Sequence, residues 1–476
     1  MVEVVLFGTF FVLLFLSVPV AFALGLAAVA TMVFVGGIDN LAVMPNVFYS
    51  SLSSATLLAI PFFILAGVIM EYAGISKRLI DLADACVGHR KHGLAMVVII
   101  AAFFFSAISG SGPATVAAIG AILIPALVRN GYFKHHAAAM LASAGSMGII
   151  IPPSITLIIF GVVASDYERV SIARLFMAGV IPGILMALAL YIAARMIPRT
   201  QAARAPAPAA VGALDRSGGG SSGLSGGSGE RLHPGEKEEI EKLAAHGAQQ
   251  AGRAPLGDIA KRFVNAIPGL LVPVIILGGI YGGVFTPTES AVVAAFYALA
   301  VGLFFYREIK PGSLGKIFIT SAVQSSVVMI IVGCASIFAY VITSERVAQH
   351  VSDAILGITD NRVVIMILVL VLLLIAGAFI DAISALFLFI PIFVPILLSL
   401  GYDITTIGVM MTVNLAIGLI TPPVGVNLFV AAGIAKTPLT GVSKGAVPFL
   451  IAALTVLLLI AFIPGLSNWL PDLLGM

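Results

Sequence analysis

Long apolar runs separated by short polar loops fill most of the chain, and one polar stretch lies near its middle. Runs of about 20 apolar residues, the length of a transmembrane helix, fall into two groups, within 1–196 and 263–476. The stretch 197–262 between them is rich in Pro, Ala, Gly, Ser and charged residues. Gly/Ser tracts bury too little apolar surface to order themselves, so this stretch is predicted to be a flexible cytoplasmic linker between two membrane repeats.

Two apolar runs are longer than one span and are interrupted by small or polar residues. SAISGSGPAT (106–115) interrupts the run 92–127, and GAFIDAIS (377–384) interrupts the run 363–400. The first run is flanked by basic residues at both ends, and cytoplasmic loops are enriched in Lys and Arg. Each run is therefore predicted to be a re-entrant helical hairpin. One long kinked helix remains the alternative for the first.

Two proline pairs break further apolar runs and set the register of an internal repeat. Pro152-Pro153 and Pro422-Pro423 are 270 residues apart, and the two interrupted runs keep the same spacing. Proline breaks a helix, and hydrocarbon cannot satisfy the freed backbone groups, so each break needs surrounding protein or water. An odd number of predicted spans separates the hairpins. The sequence thus predicts an all-α polytopic membrane protein with inverted repeats, an architecture of secondary transporters.

The positions of the charged residues predict which loops lie inside. The loop 75–91 carries four basic residues and is predicted to lie inside, whereas the loop 344–362 has mixed charge and is predicted to lie outside. The first apolar run, continuing to about Gly36, is read as one retained span whose N-terminus is cytoplasmic. The last span then leaves the C-terminus outside.

Composition excludes several classes of function. Of 476 residues, 60% are hydrophobic and 10% are charged, whereas soluble domains have charge on about a quarter of their residues. The formal charge of +3 is too small to indicate a nucleic-acid partner. Cys86 and Cys334 lie in separate segments without metal-ligand spacing, so no transition-metal site is predicted. No motif for an organic cofactor was found.

The interruptions carry the candidate chemistry. Half-helix N-termini suit an anion, unwound carbonyls suit a cation, and hydroxyl oxygens are ligands for hard cations. Asp381 is the strongest single signal, because an ionisable residue in a membrane core marks a functional site by default. It could also cap the helix that follows it, and both roles can coexist.

Other candidates have a structural alternative that the sequence leaves open. Asn414 could bind a ligand or make a contact between helices, and Ser146 could bind a ligand or hydrogen-bond to its own helix. Arg346 could contact a substrate carboxylate or be a solvated loop charge. Thr286 and Glu289 are typical of a capping box at a helix start.

Five segments resemble the large membrane subunit of tripartite ATP-independent periplasmic (TRAP) transporters, DctM/SiaM-like. They are SAISGSGPATVAAIGAILIPAL, GIIIPPSITLIIFG, FTPTESAVVAAFYAL, GAFIDAISALFLFIPIFVPI and LITPPVGVNLFVAAGIA. The resemblance covers roughly 1–200 and 262–470. It implies a carrier rather than an enzyme, with the elevator-type fold of the ion transporter superfamily, in a bacterial inner membrane. The C-terminus would then be periplasmic.

The resemblance also implies what is transported and with which partners. The substrate would be an organic acid such as a C4-dicarboxylate or sialic acid, and Na⁺ would be the coupling ion. A small membrane subunit, DctQ/SiaQ-like, would extend the scaffold. A periplasmic substrate-binding protein, DctP/SiaP-like, would deliver the acid.

Residue patterns and the resemblance together give the predicted site. The residues predicted to bind the substrate are Ser109, Ser111, Ser154, Arg346 and Asp381. Those predicted to bind sodium are Ser109, Gly110, Gly112, Ser146, Pro153, Asp381, Asn414, Thr421, Pro422 and Gly425.

Three other functions were weighed against this one. A self-contained sodium/carboxylate symporter would need no binding protein, and a single chain does not distinguish it. An ion channel is a second possibility, since re-entrant hairpins also build selectivity filters, but the two tips differ in sequence. An intramembrane enzyme is disfavoured, because Asp381 has no second intramembrane aspartate in a comparable setting.

Overall fold

The computed structural model describes residues 1–90, 92–198, 255–357 and 361–476, and the regular elements in these ranges are helices. Nine helices in the described part of the chain are long and apolar enough to cross a membrane. The prediction of an all-α polytopic membrane protein is therefore confirmed. The predicted linker 197–262 lies largely outside these ranges, and its last residues are already helical.

Twenty α-helices are numbered here in chain order. The first half contains α1 (Val2–Phe15), α2 (Val20–Gly36), α3 (Met44–Leu52), α4 (Ala59–Tyr72), α5 (Ile75–Val87), α6 (Gly93–Ser109), α7 (Gly112–Arg129), α8 (Lys134–Gly145), α9 (Ile155–Ala164) and α10 (Ile172–Arg195). The second half contains α11 (Leu256–Tyr281), α12 (Pro287–Ala300), α13 (Leu314–Ser344), α14 (Val347–Leu356), α15 (Arg362–Phe379), α16 (Ala382–Ser399), α17 (Ile404–Gly418), α18 (Val426–Ala435), α19 (Leu439–Phe462) and α20 (Gly465–Leu473).

The two predicted hairpins form with the predicted spacing. Helices α6 and α7 make the first hairpin, and α15 and α16 make the second. Helix α7 covers 112–129 and α16 covers 382–399, so both of their ends are 270 residues apart. The element boundaries thus repeat in the register that the proline pairs predict. The inversion of the two halves and the re-entrant path of the hairpins stay predictions.

Each proline pair lies between two helices of a broken run. The first break separates α8 from α9, and the second separates α17 from α18. After α8 the chain makes a short 3₁₀ turn, Ser146–Ile149, before the prolines. Both Pro-Pro peptide bonds are cis. The helices end here because proline removes a backbone donor and clashes with the preceding turn.

The hairpins and broken helices pack together into one buried unit. Helix α18, after the second break, packs on α7 and α8, whereas α9, after the first break, packs on α16. Each half of the repeat therefore contacts the hairpin of the other. Every residue of α17 is buried, as expected for a helix that is apolar on all sides.

Helices α2, α4, α12 and α13 form a second layer beside this unit. Helix α4 packs on α12 and α13, and α13 also packs on α2 and on α16 of the second hairpin. The predicted capping box starts α12: Glu289 N donates to Thr286 Oγ1 at 3.2 Å, and Thr286 N donates to Glu289 Oε2 at 2.8 Å. That prediction is confirmed.

The first apolar run is divided into two helices. Helices α1 and α2 pack against each other, and the turn between them contains Ser17 with a φ of 62° followed by Val18 and Pro19. Proline restricts the residue before it to extended backbone, which ends the helix here. The expectation of one span to about Gly36 is therefore wrong. Two packed helices return the chain to the side on which it began.

Loop contacts at the end predicted to be cytoplasmic agree with that prediction. Arg78 Nη2 lies 3.2 Å from Glu308 Oε1, and the Arg78 guanidinium stacks 3.7 Å from the centroid of the Tyr306 ring. Tyr306 in turn donates to Asn265 O at 2.7 Å. Three segments predicted to lie inside thus meet at one end of the molecule.

Contacts at the opposite end join segments predicted to lie outside. Arg174 Nη2 lies 2.7 Å from Asp472 Oδ1, and Asn468 Nδ2 donates to Asp403 Oδ2 at 3.2 Å. A further contact departs from the predictions, because His350 Nδ1 lies 2.6 Å from Glu3 Oε1. A cytoplasmic N-terminus and an outside loop 344–362 cannot both hold, since these residues touch.

Candidate functional site

The two hairpin tips and the two helix breaks line one cavity of about 570 Å³. Helices α4 and α13 of the second layer close its other side. The lining residues from the tips and breaks include Ser109, Gly110, Ser111, Ile149, Ile155, Thr156, Asp381, Ala382, Ile383, Leu419 and Val426. Four of the predicted site residues therefore face one space: Ser109, Gly110, Ser111 and Asp381.

The tip of the first hairpin is held by its own hydroxyl groups. Ser109 ends α6, and Gly110 turns the chain with a φ of 60°, which glycine adopts without steric cost. Ser109 Oγ lies 2.8 Å from Thr115 Oγ1, and Thr115 donates to Ser111 O at 2.8 Å. Ser111 precedes α7, but its hydroxyl makes no capping hydrogen bond. The Ser111 hydroxyl is therefore available to a ligand.

Glycines let this tip lie directly against both breaks. A Cβ added at Gly110 would lie 3.1 Å from Pro153 O, and one at Gly148 would lie 2.5 Å from Ser111 O. A Cβ at Gly112 would lie 2.8 Å from the Leu419 side chain. Backbone therefore meets backbone here, which brings the predicted residues Gly112 and Pro153 directly behind the cavity lining.

Asp381 at the second tip has both of the roles left open by the sequence. Its carboxylate caps α16, accepting from Ser384 N at 3.0 Å and from Ser384 Oγ at 2.6 Å. The same carboxylate is half-buried and lines the cavity. A carboxylate retains further lone pairs after two hydrogen bonds, so capping leaves it able to contact a cation.

The second break is fixed against the second hairpin. Gly425 has a φ of 52° and donates from its N–H to Ala378 O at 3.3 Å. A Cβ at Gly418 would lie 2.6 Å from Gly377 Cα, so this approach also requires glycine. Thr421 donates its hydroxyl to Ile417 O at 2.8 Å, within its own helix turn. Pro422, which follows Thr421, is exposed.

Three predicted site residues make internal contacts behind the cavity. Ser154 caps α9, donating to Ile149 O at 2.6 Å and accepting from Leu157 N at 3.3 Å. Ser146 donates to Ser143 O at 2.7 Å, the contact with its own helix that the sequence left open. Asn414 donates to Leu370 O at 2.8 Å. All three are fully buried, and none lines the cavity.

Arg346 is not brought to the cavity. It lies on the turn between α13 and α14 with a φ of 53°, and its side chain is exposed. It is absent from the cavity lining. Its proposed contact with a substrate carboxylate stays a prediction without geometric support.

Sequence reasoning missed three polar residues around the cavity. Glu71 on α4 and Gln324 on α13 line it, and Asn427 on α18 lies against the first tip. Asn427 is fully buried and donates to Ala142 O at 3.1 Å, while its Oδ1 has no partner within the described ranges. A polar residue in an apolar helix had singled out Asn414, and the same criterion would have found Asn427.

The charges around the cavity are all negative. Glu71 and Asp381 are the acidic residues in the part of the lining that the structure describes, and that part contains no Lys, Arg or His. The chain instead offers positive ends of helices, because α7 and α16 both begin at the cavity. The cavity thus combines anion-binding helix ends with carboxylates that attract cations.

A second cleft of about 370 Å³ lies between the same two layers, at the end predicted to be outside. Its lining includes Ser50, Asp166, Tyr167, Tyr340 and Phe387. Asp166 and Tyr167 lie in the link between α9 and α10, and burial raises the pKa of both side chains. The boundary between the layers is therefore hollow near each end.

Comparison with protein families decides the kinship of the chain. The family model of the tripartite ATP-independent periplasmic transporter DctM component matches residues 7–466. The chain belongs to the DctM family. The resemblance read from the five motifs is confirmed, and relatives of this DctM-family chain are transporter permeases rather than enzymes.

Named relatives transport different acids. The isethionate TRAP transporter permease protein DctMQ of Oleidesulfovibrio alaskensis is 40% identical over 97% of this chain, which spans 65% of that longer protein. The C4-dicarboxylate large permease DctM of Pseudomonas aeruginosa is 37% identical over 88% of this chain and 87% of its own. The 2,3-diketo-L-gulonate large permease YiaN of Escherichia coli is 34% identical over 95% and 94%.

Solved structures share the fold with this DctM-family chain at low sequence identity. The YdaH transporter of Alcanivorax borkumensis is 16% identical, with a TM-score of 0.55 over 92% of this chain and 89% of that one. MtrF of Neisseria gonorrhoeae is 13% identical, with a TM-score of 0.58 over 91% and 86%. The fold is that of known membrane transporters.

Proposed function

We propose that this DctM-family chain is the large membrane subunit of a TRAP transporter that takes up an organic acid together with sodium. The observation that carries the proposal is the convergence of both hairpin tips and both helix breaks on one cavity. Broken helices around a shared cavity are typical of substrate and ion sites in secondary transporters. The named relatives support an organic acid as the substrate class.

Charge at the cavity supports coupling to a cation. An organic acid is an anion, and the described lining meets it with two carboxylates and no basic side chain. Bound Na⁺ ions at the tips and breaks would offset that repulsion, so acid and sodium would bind together. Hydroxyl and carbonyl oxygens at Ser109, Ser111 and Thr421 are suitable ligands for such a hard cation.

The division of the cavity walls supports an elevator mechanism. One wall is made of the hairpins and broken helices, and the other of α4 and α13. At Gly67 of α4, an added Cβ would lie 3.6 Å from Ser109 Cα, so the two walls touch with little side-chain interlock. A cleft near each end of this boundary is consistent with movement of one layer past the other.

The proposed setting is the bacterial inner membrane, with a small membrane subunit and a periplasmic binding protein as partners. The family description names a tripartite periplasmic system, and this chain spans 65% of the relative called DctMQ. The C-terminus is proposed to be periplasmic. The contact between Glu3 and His350 favours the same side for the N-terminal residues, in place of the cytoplasmic position expected from one span.

Uptake into proteoliposomes tests the proposal. Succinate, fumarate, isethionate and sialic acid are offered as radiolabelled substrates under an inward sodium gradient, with and without the candidate small subunit and binding protein. Uptake of one acid that requires sodium and both partners is expected. Sodium-driven uptake by this chain alone would replace the tripartite assignment with a self-contained symporter, and no sodium-driven uptake of any organic acid would contradict the proposal.

A further inference from the structure

Glu71 supplies an acidic group to the cavity from the wall opposite the hairpin tips. It is the penultimate residue of α4, and its side chain is exposed to the cavity. Helix α4 leads into the loop 75–91, so Glu71 lies close to the end of the cavity predicted to be cytoplasmic. The site residues predicted from the sequence all lie elsewhere, on the hairpins, the broken helices and the turn after α13.

The position of Glu71 relative to the first tip follows from helix geometry. Residues four apart lie on the same face of a helix, with their Cβ atoms about 5–6 Å apart. Gly67 is four residues before Glu71, and a Cβ there would lie 3.6 Å from Ser109 Cα. Glu71 is therefore about one helical turn beyond the point where α4 touches the tip, on the face that looks toward it.

No basic side chain within the described ranges neutralises Glu71. The nearest arginine in sequence, Arg78, pairs with Glu308, donates to Gly74 O at 2.9 Å and stacks on Tyr306. No hydrogen bond or ion pair of the Glu71 carboxylate occurs among the described residues. Its charge is thus directed at the contents of the cavity.

We propose that Glu71 is a release-side residue, whose negative charge weakens the binding of the acid anion when the cavity faces the cytoplasm. The inference rests on the proposed elevator function, in which the tips carry the acid while α4 stays in place. When the tips move outward they leave Glu71 behind, so its repulsion acts on one side of the membrane. It lowers the affinity for the acid on the inside and speeds its release.

The effect is kinetic and one-sided. The gradients set the final accumulation ratio, which Glu71 does not change. Two like charges separated by about 10 Å near a protein–water boundary repel enough to change an affinity about three- to tenfold after screening. The half-saturating concentration of acid on the inside is the quantity that should respond.

Exchange across proteoliposomes measures that quantity. The vesicles contain the full chain with the partners that uptake requires, equal sodium on both sides, and graded internal amounts of the best-transported acid among succinate, fumarate, isethionate and sialic acid. Entry of external tracer is followed as a function of internal acid. Glu71→Gln keeps the shape of the side chain and removes its charge, whereas Glu71→Asp keeps the charge.

Glu71→Gln is expected to lower the internal half-saturating concentration about three- to tenfold, with the external value changed less than twofold. Glu71→Asp should remain close to the wild type. Gln324→Glu, which adds a carboxylate to the same wall from α13, should raise the internal value.

Equal internal values in the wild type and Glu71→Gln would overturn the inference while leaving the proposed function intact. An equal shift on both sides would also overturn it, because it would place Glu71 with the moving substrate site. Failure of the wild type to carry out sodium-driven uptake would remove the proposed function and this inference with it.

Discussion

At the scale of single residues, Asp381 combines a structural and a chemical role that two substitutions separate. Asn is as good an N-cap as Asp, whereas Ala loses the cap at a cost of about 1 kcal/mol. Asp381→Asn should therefore keep the thermal stability of the wild type while abolishing sodium-dependent uptake. Asp381→Ala should lose uptake and also melt at a lower temperature. Full uptake by a well-expressed Asp381→Asn variant would remove Asp381 from the ion site.

The two serines Ser111 and Ser154 were predicted to share a role, but the structure gives them different contacts. Ser154 is fully buried and makes two internal hydrogen bonds, so Ser154→Ala should lower the free energy of unfolding by about 1 kcal/mol. Ser111 lines the cavity without a capping hydrogen bond. Ser111→Ala should weaken acid uptake with unchanged stability, as measured by tracer uptake and thermal melting in parallel. The opposite pattern would reverse the two assignments.

The sequence predicted some of these residue roles because their signals are local. Asp381 is a single charge in an apolar run, and its capping of the next three residues needs no tertiary information. Glu71 could not be assigned in this way. It lies near a basic loop in the sequence and resembles a loop charge, and only the packing of α4 against the hairpin tip places it at the cavity.

At the scale of elements, the two breaks depend on glycines at equivalent positions. Gly148 and Gly418 are 270 residues apart, and a Cβ at either would lie within 2.6 Å of the backbone of a hairpin. Alanine at either position should force the hairpin and the break apart at a cost of about 1–3 kcal/mol. Gly433→Ala on α18 is the control, because nothing lies within 4 Å of its added Cβ.

Thermal melting and tracer uptake of these variants test that prediction. Gly148→Ala and Gly418→Ala should melt earlier and transport more slowly than the wild type. Gly433→Ala should match or slightly exceed the wild type, since Ala is favoured over Gly inside a helix. Equal behaviour of all three variants would show that the breaks do not depend on close backbone contact.

The hairpins could be predicted from sequence to within two residues at each end, whereas the first helix pair could not. Each hairpin has a polar interruption, and the predicted runs 92–127 and 363–400 match helices that cover 93–129 and 362–399. The turn between α1 and α2 is marked only by Ser17, Val18 and Pro19 within an apolar run. Hydropathy alone does not register such a turn, although Pro19 was a local signal for it.

At the scale of the whole molecule, the contact between Glu3 and His350 makes a prediction about topology. Because α1 and α2 form a packed pair, the residues before α1 should lie on the same side as the loop 344–362. In a background without native cysteines, Val2→Cys and Gln349→Cys should both react with a membrane-impermeant maleimide added from the periplasmic side. Lys444→Cys, at the opposite end, should react only after permeabilisation. Protection of Val2→Cys in intact cells would restore a cytoplasmic N-terminus.

The repeat register and the fold class followed from the sequence because proline pairs and apolar runs are periodic features of the chain. The cavity required more, since it joins α4, α13 and both hairpins, which are distant in sequence. No local pattern states which helices will face one another. The membership of Gln324 in the lining is an example, because its helix is otherwise an ordinary apolar span.

The central claim is that the acid and sodium move together through this cavity, with Asp381 part of the ion site. The most direct test is the initial rate of acid uptake as a function of sodium concentration at fixed membrane potential, for the wild type and Asp381→Asn. A rate that rises and saturates with sodium in the wild type, and that is lost in Asp381→Asn, is the predicted result. Uptake that is independent of sodium, or unaffected by Asp381→Asn, would contradict the claim.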